Sequence, residues 1–216
     1  MKKINEFEIN RQIFHVILGV SIVVFLLYGG LTGSVLSLLF GISDGNTLLD
    51  VRNIILILII VGLILSYLST KIKIPIIYPL LQKFERKEEL KRFPGKGTIF
   101  YLIGVYISLM LFPKEIAMAS IMILALGDSV SHLYGLHYGK IKHPLSSTKF
   151  LEGTIAGFIA GFIGAFVFLP WHEAFFASLA AMIVEAVEIK IGTEQVDDNL
   201  IIPVVAGAVV WLIRLF

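Results

Sequence analysis

The sequence has no cysteine, which excludes disulfides and thiolate chemistry. It is also poor in charge: Asp, Glu, Lys and Arg make up 16% of its 216 residues, against about 25% in an ordinary soluble domain. Neither sign of charge dominates, with 18 Lys and Arg against 16 Asp and Glu, so nothing points to a nucleic-acid partner. The opening MKKINEFEINRQ has no small-residue cleavage site after an early apolar core, so no signal peptide is expected. No loop is long enough for a second soluble domain, and neither an internal repeat nor a low-complexity tract is present. A single domain over 1–216 is expected. What the chain has in excess is apolar: 57% hydrophobic residues and a mean hydropathy of +0.89. That excludes a disordered chain, a disulfide scaffold and an ordinary cytosolic enzyme, and predicts an all-α polytopic membrane protein.

A bilayer core needs about 20 mainly apolar residues per helix. Seven spans are expected, at roughly 12–29, 53–70, 97–113, 115–137, 151–169, 173–190 and 200–215. The stretch 31–42 is apolar but falls below the spanning minimum of about 17 residues. It reads as a continuation, a re-entrant piece or an interfacial turn. Residues 76–92 begin apolar and end charged, and are expected to form a cytoplasmic interfacial helix. With the N-terminus inside, every basic residue except Arg52, Lys114 and Arg214 falls on the inner face, which satisfies the positive-inside rule. An eighth span at 31–42 would reverse the later loops and spoil this bias. The expectation is an integral cell-membrane protein with its polar chemistry facing the cytoplasm.

Ionisable groups in apolar spans are costly and mark functional positions by default. Five clusters stand out. Arg11 and His15, four residues apart, share a helix face at the inner end of the first span; a basic anchor with one hydrogen-bonded His is the bland alternative. Pro94-Gly95-Lys96-Gly97-Thr98 opens the third span, where glycine amides, the helix N-terminus and Lys96 suit an anion; a plain turn is the alternative. Asp128 follows the apolar run IMILAL within Gly127-Asp128-Ser129-Val130-Ser131-His132. It has no adjacent basic partner and needs a metal, a cation from another helix or water. Gly135, Gly139 and Lys140 follow it. Next, Ser146-Ser147-Thr148-Lys149 precedes a helix starting near Leu151, another anion site at a helix N-terminus. Glu152, three after Lys149, can orient that Lys or bind a metal. The glycines from Gly153 onward read as helix packing, within the chain or across a homodimer. Last, Glu185 and Glu188 end the sixth span, and Asp197-Asp198-Asn199 open the seventh. Hard oxygen ligands in this number suit Mg²⁺, which prefers one or two carboxylates plus substrate phosphates; helix capping and snorkelling are the alternatives.

All five clusters fall at or near the inner face, at the ends of different helices. Carboxylates and lysines together there suit a metal–polyphosphate, because phosphoryl transfer needs positioning and charge neutralisation more than covalent chemistry. The apolar spans leave a lipid as the natural second substrate.

Four elements match a known family in order: RQIFHVILG, PGKGTIFYLIG, GDSVSHLYGLHYGKIKHPLSSTKFLEGTIAGF and VDDNLIIP. With them the chain resembles the dolichol kinase / phytol kinase family of polyprenol kinases. That family includes CTP-dependent diacylglycerol kinase and is related to the phosphatidate cytidylyltransferases. The resemblance implies phosphate transfer from CTP to the hydroxyl of a long isoprenoid alcohol. It matches Asp128 to the family's Asp in the nucleotide and metal region, and Gly135, Gly139 and Lys149 to its glycines and Lys. Glu152 and Gly153 close that element, and Asp197, Asp198 and Asn199 match the late acidic element. His132 stands where many relatives carry an aromatic or aliphatic residue. The longer basic and acidic signature of the cytidylyltransferases near the end is missing.

On this reading Asp128, Glu185, Asp197 and Asp198 supply ligands to Mg²⁺. Lys96, Gly97, Lys140, Lys149 and Asn199 join the glycines and Glu152 around the nucleotide. Asp128 or Asp198 orients or deprotonates the lipid hydroxyl. The rival readings are a lipid cytidylyltransferase and a small transporter. The scarcity of ionisable groups in the outer loops argues against the transporter.

Overall fold

The structure, a computed structural model, describes residues 6–40, 51–75, 77–85, 89–187, 189–191 and 194–216. Helix α1 runs unbroken over Glu6–Phe40. Glu6 and Glu8 lie in its first turn, where carboxylates complement the positive end of the helix dipole. Of the three readings of 31–42, the continuation holds for 31–40; residues 41 and 42 fall outside the described part. Helix α2 spans Val51–Lys71. Its Ile57, Leu58, Ile60, Leu63 and Ile64 are exposed, an apolar surface suited to lipid rather than water.

The expected interfacial helix over 76–92 is instead two short pieces, α3 (Ile77–Phe84) and α4 (Glu89–Arg92). The chain leaves the helix at Glu85, whose side chain is buried. Helix α5 (Lys96–Leu111) starts after Gly95, which has φ 80°. An L side chain would be strained there, and this turn aims the start of α5.

The central helix contains a fault. Helix α6 (Lys114–Met122) passes into a π-helical turn over Ile123–Asp128, and α7 (Ser129–Tyr138) continues from it. Such a turn inserts an extra residue and is frequent at functional sites. The run Ile116, Ala117, Ile121, Ile123 and Leu124 is fully enclosed by neighbouring helices. Helix α8 (Leu151–Phe166) packs on α7 with backbones almost touching. A Cβ at Gly157 would stand 2.6 Å from the carbonyl of Gly127, and one at Gly153 equally close to that of Ser131. Helix α9 (Trp171–Ala186) leads to a two-residue antiparallel pair, β1 (Lys190–Ile191) and β2 (Glu194–Gln195). Helix α10 (Asp198–Ile213) closes the bundle.

Among the described residues three helices are long and apolar enough to cross a membrane: Glu6–Tyr28, Val51–Lys71 and Lys114–Tyr138. Helices α5, α8 and α10 are apolar but shorter. At 16 residues each they are about 24 Å long, less than the roughly 30 Å of a hydrocarbon core. The starts of α5, α8 and α10 and the end of α9 meet at one end of the bundle.

Candidate active site

Those helix ends enclose a cavity of about 510 Å³. Its wall takes Arg11, Gln12 and His15 from α1, Glu89 from α4, and Lys96 and Gly97 from α5. Asp128, Ser131, His132 and Gly135 come from the central helix. Thr148, Lys149 and Phe150 precede α8, Glu185 ends α9, and Asp197, Asp198 and Asn199 open α10. Side chains from all five sequence clusters therefore share one cavity. Glu188 lies outside the described residues.

Lys149 is the centre of its charge. The Nζ stands 2.8 Å from Glu185 Oε1 and 2.8 Å from Asp198 Oδ2, and it also donates to the backbone carbonyl of Glu185. An ammonium has three N–H donors, and these contacts use all of them. Burial alone would lower the Lys149 pKa, but Glu185 and Asp198 override it and hold the group above its ordinary value. Lys149, expected to meet the triphosphate, joins the end of α9 to the start of α10, and it lines the cavity together with Lys96. Asp128 is within electrostatic range of Glu185, Asp198 and Lys149, so the cation it lacked on its own helix arrives from the loop before α8.

Asp197 caps α10: its Oδ1 accepts from the backbone N–H of Asn199 at 3.1 Å and from Asn199 Nδ2 at 2.9 Å. Burial raises the Asp197 pKa. On the α1 side, Glu8 Oε2 lies 3.0 Å from an Arg11 terminal nitrogen and 3.1 Å from His132 Nε2, which ties α1 to α7.

CTP-dependent diacylglycerol kinase 1 of Schizosaccharomyces pombe is 30% identical over 151 residues, covering 64% of this chain and 66% of the yeast protein. Phytol kinase 1, chloroplastic, of Arabidopsis thaliana is 27% identical over 135 residues, 55% of this chain and 42% of its own length. An uncharacterized protein of Methanocaldococcus jannaschii is 30% identical over 160 residues, 72% of this chain and 77% of the archaeal one. The chain belongs to the CTP-dependent polyprenol/phytol kinase family. It spans about two thirds of the yeast kinase and less than half of the plant phytol kinase. No family model matches the sequence, and no solved structure does.

Some residues that the family pattern singles out lie away from the cavity. Glu152 does not orient Lys149. Its carboxylate accepts from the backbone N–H groups of Lys140 and Ile141, at 3.1 Å each, and so pins the start of the α7–α8 loop to the first turn of α8. Lys140 shares that contact and does not line the cavity. Gly139 and Gly153 serve close packing, against Phe150 and against Ser131, whereas Gly135 does line the wall. Conversely, Gln12 and Glu89 line the cavity without having been singled out, and Glu8 contacts two lining residues, Arg11 and His132. Gln12 and Glu89 carry no signal in the sequence beyond lying one residue from Arg11 and seven from Lys96.

Among the described residues no three His, Asp or Glu side chains converge into a metal cage. Glu185 Oε2 is buried without a hydrogen-bond partner, however, and Asp128 and Asp198 stand in its electrostatic neighbourhood. One or two carboxylates completed by phosphate oxygens is the habit of Mg²⁺, so the residues present fit it.

Proposed function

We propose that this protein is a CTP-dependent lipid kinase that phosphorylates a long-chain isoprenoid alcohol of the polyprenol or dolichol type. The observation that carries the reading is the single cavity where Asp128, Lys149, Glu185, Asp198 and Lys96 meet at one end of an apolar bundle. Membership of the family supports CTP as donor, and the apolar helices around the cavity support a lipid acceptor.

In this reading Asp128 and one or more of Glu185, Asp197 and Asp198 would hold Mg²⁺, which would neutralise charge on the triphosphate. Lys96, at the start of α5, and the backbone amides of that helix end bind phosphate oxygens. Lys149 positions Glu185 and Asp198 by contacting both carboxylates. Asp128 or Asp198 takes the proton of the lipid hydroxyl. The alcohol oxygen bonds to the γ-phosphorus, the bond to the β–γ bridging oxygen breaks, and CDP leaves. The chain acts as one domain with seven spans. Its N-terminus and cavity face the cytoplasm, because that orientation puts nearly all basic residues inside.

The test is an assay of purified protein in liposomes with Mg²⁺, CTP and a panel of polyprenol, dolichol, phytol and diacylglycerol. Lipid monophosphate and CDP are expected, with polyprenol the best acceptor. Pyrophosphate with a CDP-lipid would replace this reading by cytidylyl transfer. No product from any acceptor would sink it.

A further inference from the structure

Arg11, Gln12 and His15 line the cavity from neighbouring positions on α1. Each carries a buried polar atom without a hydrogen-bond partner: Nε of Arg11, Oε1 of Gln12 and Nδ1 of His15. Gln12 is 2% exposed and His15 4%. Buried polar atoms in folded proteins nearly always have partners. Three orphans within two turns of one helix, all against a cavity, mark a surface that a ligand completes. Asn199, which lines the same cavity from α10, carries a fourth orphan. Asn199 commits its Nδ2 to Asp197, so its amide is oriented and the unpartnered Oδ1 is an acceptor.

The chemistry of these atoms narrows the ligand. The Arg11 Nε–H is always a donor. A terminal nitrogen of the same guanidinium is held by Glu8 at 3.0 Å, which fixes its plane. Gln12 and Asn199 offer bare carbonyl oxygens. A phosphate accepts only and would be repelled by two amide oxygens. A lipid hydroxyl brings a single O–H. The edge of cytosine presents an exocyclic amine with two hydrogens, beside a ring nitrogen and a carbonyl oxygen that accept. Uracil puts a carbonyl oxygen where the amine stands and would leave the amide oxygens unpaired against it.

We propose that α1 reads the nucleotide base. Gln12 Oε1 accepts from the exocyclic amine of cytosine and the Arg11 Nε–H donates to the acceptor edge beside it, so that α1 selects CTP over UTP. This rests on the kinase reading above and assigns the donor specificity of that same cavity.

The test compares Gln12→Leu and Gln12→Glu, two side chains of similar size, only the second of which keeps an acceptor. Equilibrium binding of CTP and UTP to the purified proteins is measured beside kcat/KM with each nucleotide. Wild type should prefer CTP. Gln12→Leu should lose at least about tenfold of that preference, in binding and in kcat/KM alike, which is the value of one buried hydrogen bond. Gln12→Glu should retain most of it. A CTP:UTP ratio unchanged in Gln12→Leu would overturn the inference and leave the kinase reading standing. So would a change confined to the KM for lipid, which would assign α1 to the acceptor. Should Gln12→Leu fail to fold, Arg11→Lys decides. It keeps the charge but removes the Nε–H, and the same loss of preference is expected. Absence of nucleotide binding by the wild type would sink the kinase reading itself.

Discussion

Each end of the bundle places one cation between two carboxylates, and both ends use α9 and α10. At the end away from the cavity, Arg214 donates through Nε and a terminal nitrogen to both oxygens of Glu173, at 3.0 and 2.9 Å, and reaches Glu115 at 3.2 Å. At the cavity end, Lys149 stands between Glu185 and Asp198. The far clamp agrees with every helix dipole it touches. Glu115 and Glu173 lie in the first turns of α6 and α9, and Arg214 follows the last turn of α10. In the cavity cluster only Asp198, in the first turn of α10, agrees. Glu185 is buried in the last turn of α9, at the negative end of that helix, and one of its oxygens has no partner. A bidentate guanidinium in a fixed fork is a fastening. An ammonium holding a misplaced carboxylate is an arrangement that a ligand can complete. The difference separates the end that holds the bundle together from the end that works.

The sharpest way to break the contrast is to remove each cation. Lys149→Met leaves Glu185, 3% exposed, buried without a counter-charge. Phosphotransfer should fall by about 10³-fold and unfolding free energy by about 3–5 kcal/mol. Arg214→Met strips Glu173 at a partly solvated site, with Arg214 35% exposed. A smaller stability loss of about 1–2 kcal/mol is expected after allowing for screening, with kcat within about threefold of wild type. Initial rates and thermal unfolding in detergent read both, and equal loss of activity in the two variants would erase the distinction.

A milder probe uses the seam between α5 and α10. A Cβ at Gly104 would stand 2.2 Å from the backbone oxygen of Asn199, whereas one at Gly207 would meet the ring of Phe112 at 2.3 Å. Gly104→Ala pushes on backbone beside the cavity and should shift the start of α10 with Asp198. About a 10²-fold loss of rate is expected, since small misplacements cost that much. Gly207→Ala pushes on a side chain at the far end and should cost about 1–3 kcal/mol of stability with little change in rate. Similar rates in the two variants would mean that α10 does not transmit position to the cavity.

The smallest effect is electrostatic. Burial, aided by a hydrogen bond with Glu89, pushes the Glu85 carboxyl up to about 8 from an ordinary 4.5. Between those values the folded chain binds more protons at this group than the unfolded chain. Stability therefore falls as pH rises from about 4.5 to about 8 and levels off above. Glu85→Gln should flatten that part of the profile, measured as Tm between pH 5 and 9. A slope unchanged in the variant would assign the proton elsewhere.

The polar clusters were legible because charge is scarce in this chain, so Asp128, Lys149 and Glu185 stood out against apolar runs. Their pairing was not legible. Spacing suggested that Glu152 orients Lys149, but Phe150 between them is extended, with φ −122° and ψ 141°. Residues 149 and 152 therefore share no helical face, and the three-residue rule has nothing to act on. The true partners lie 36 and 49 residues away, a distance only tertiary packing can close. The interfacial segment expected over 76–92 holds two short helices, and periodicity does not report that the first ends beside the buried Glu85. Helix α8 was legible as a packing helix from its glycines, because Gly157 and Gly161 do meet neighbouring helices at contact distance.

The π-helical turn over Ile123–Asp128 has a consequence for how this region can change by descent. One extra residue rotates everything after it by about 100° relative to α6, so the two halves of the central helix are out of phase. Single-residue deletions between 123 and 127 would bring them back into phase. They would swing Ser131 and Gly135 off the cavity and away from the backbone of α8 at Gly153. Point substitutions leave that phase untouched. The stretch should therefore accept exchanges of similar volume while remaining intolerant of any change in its length.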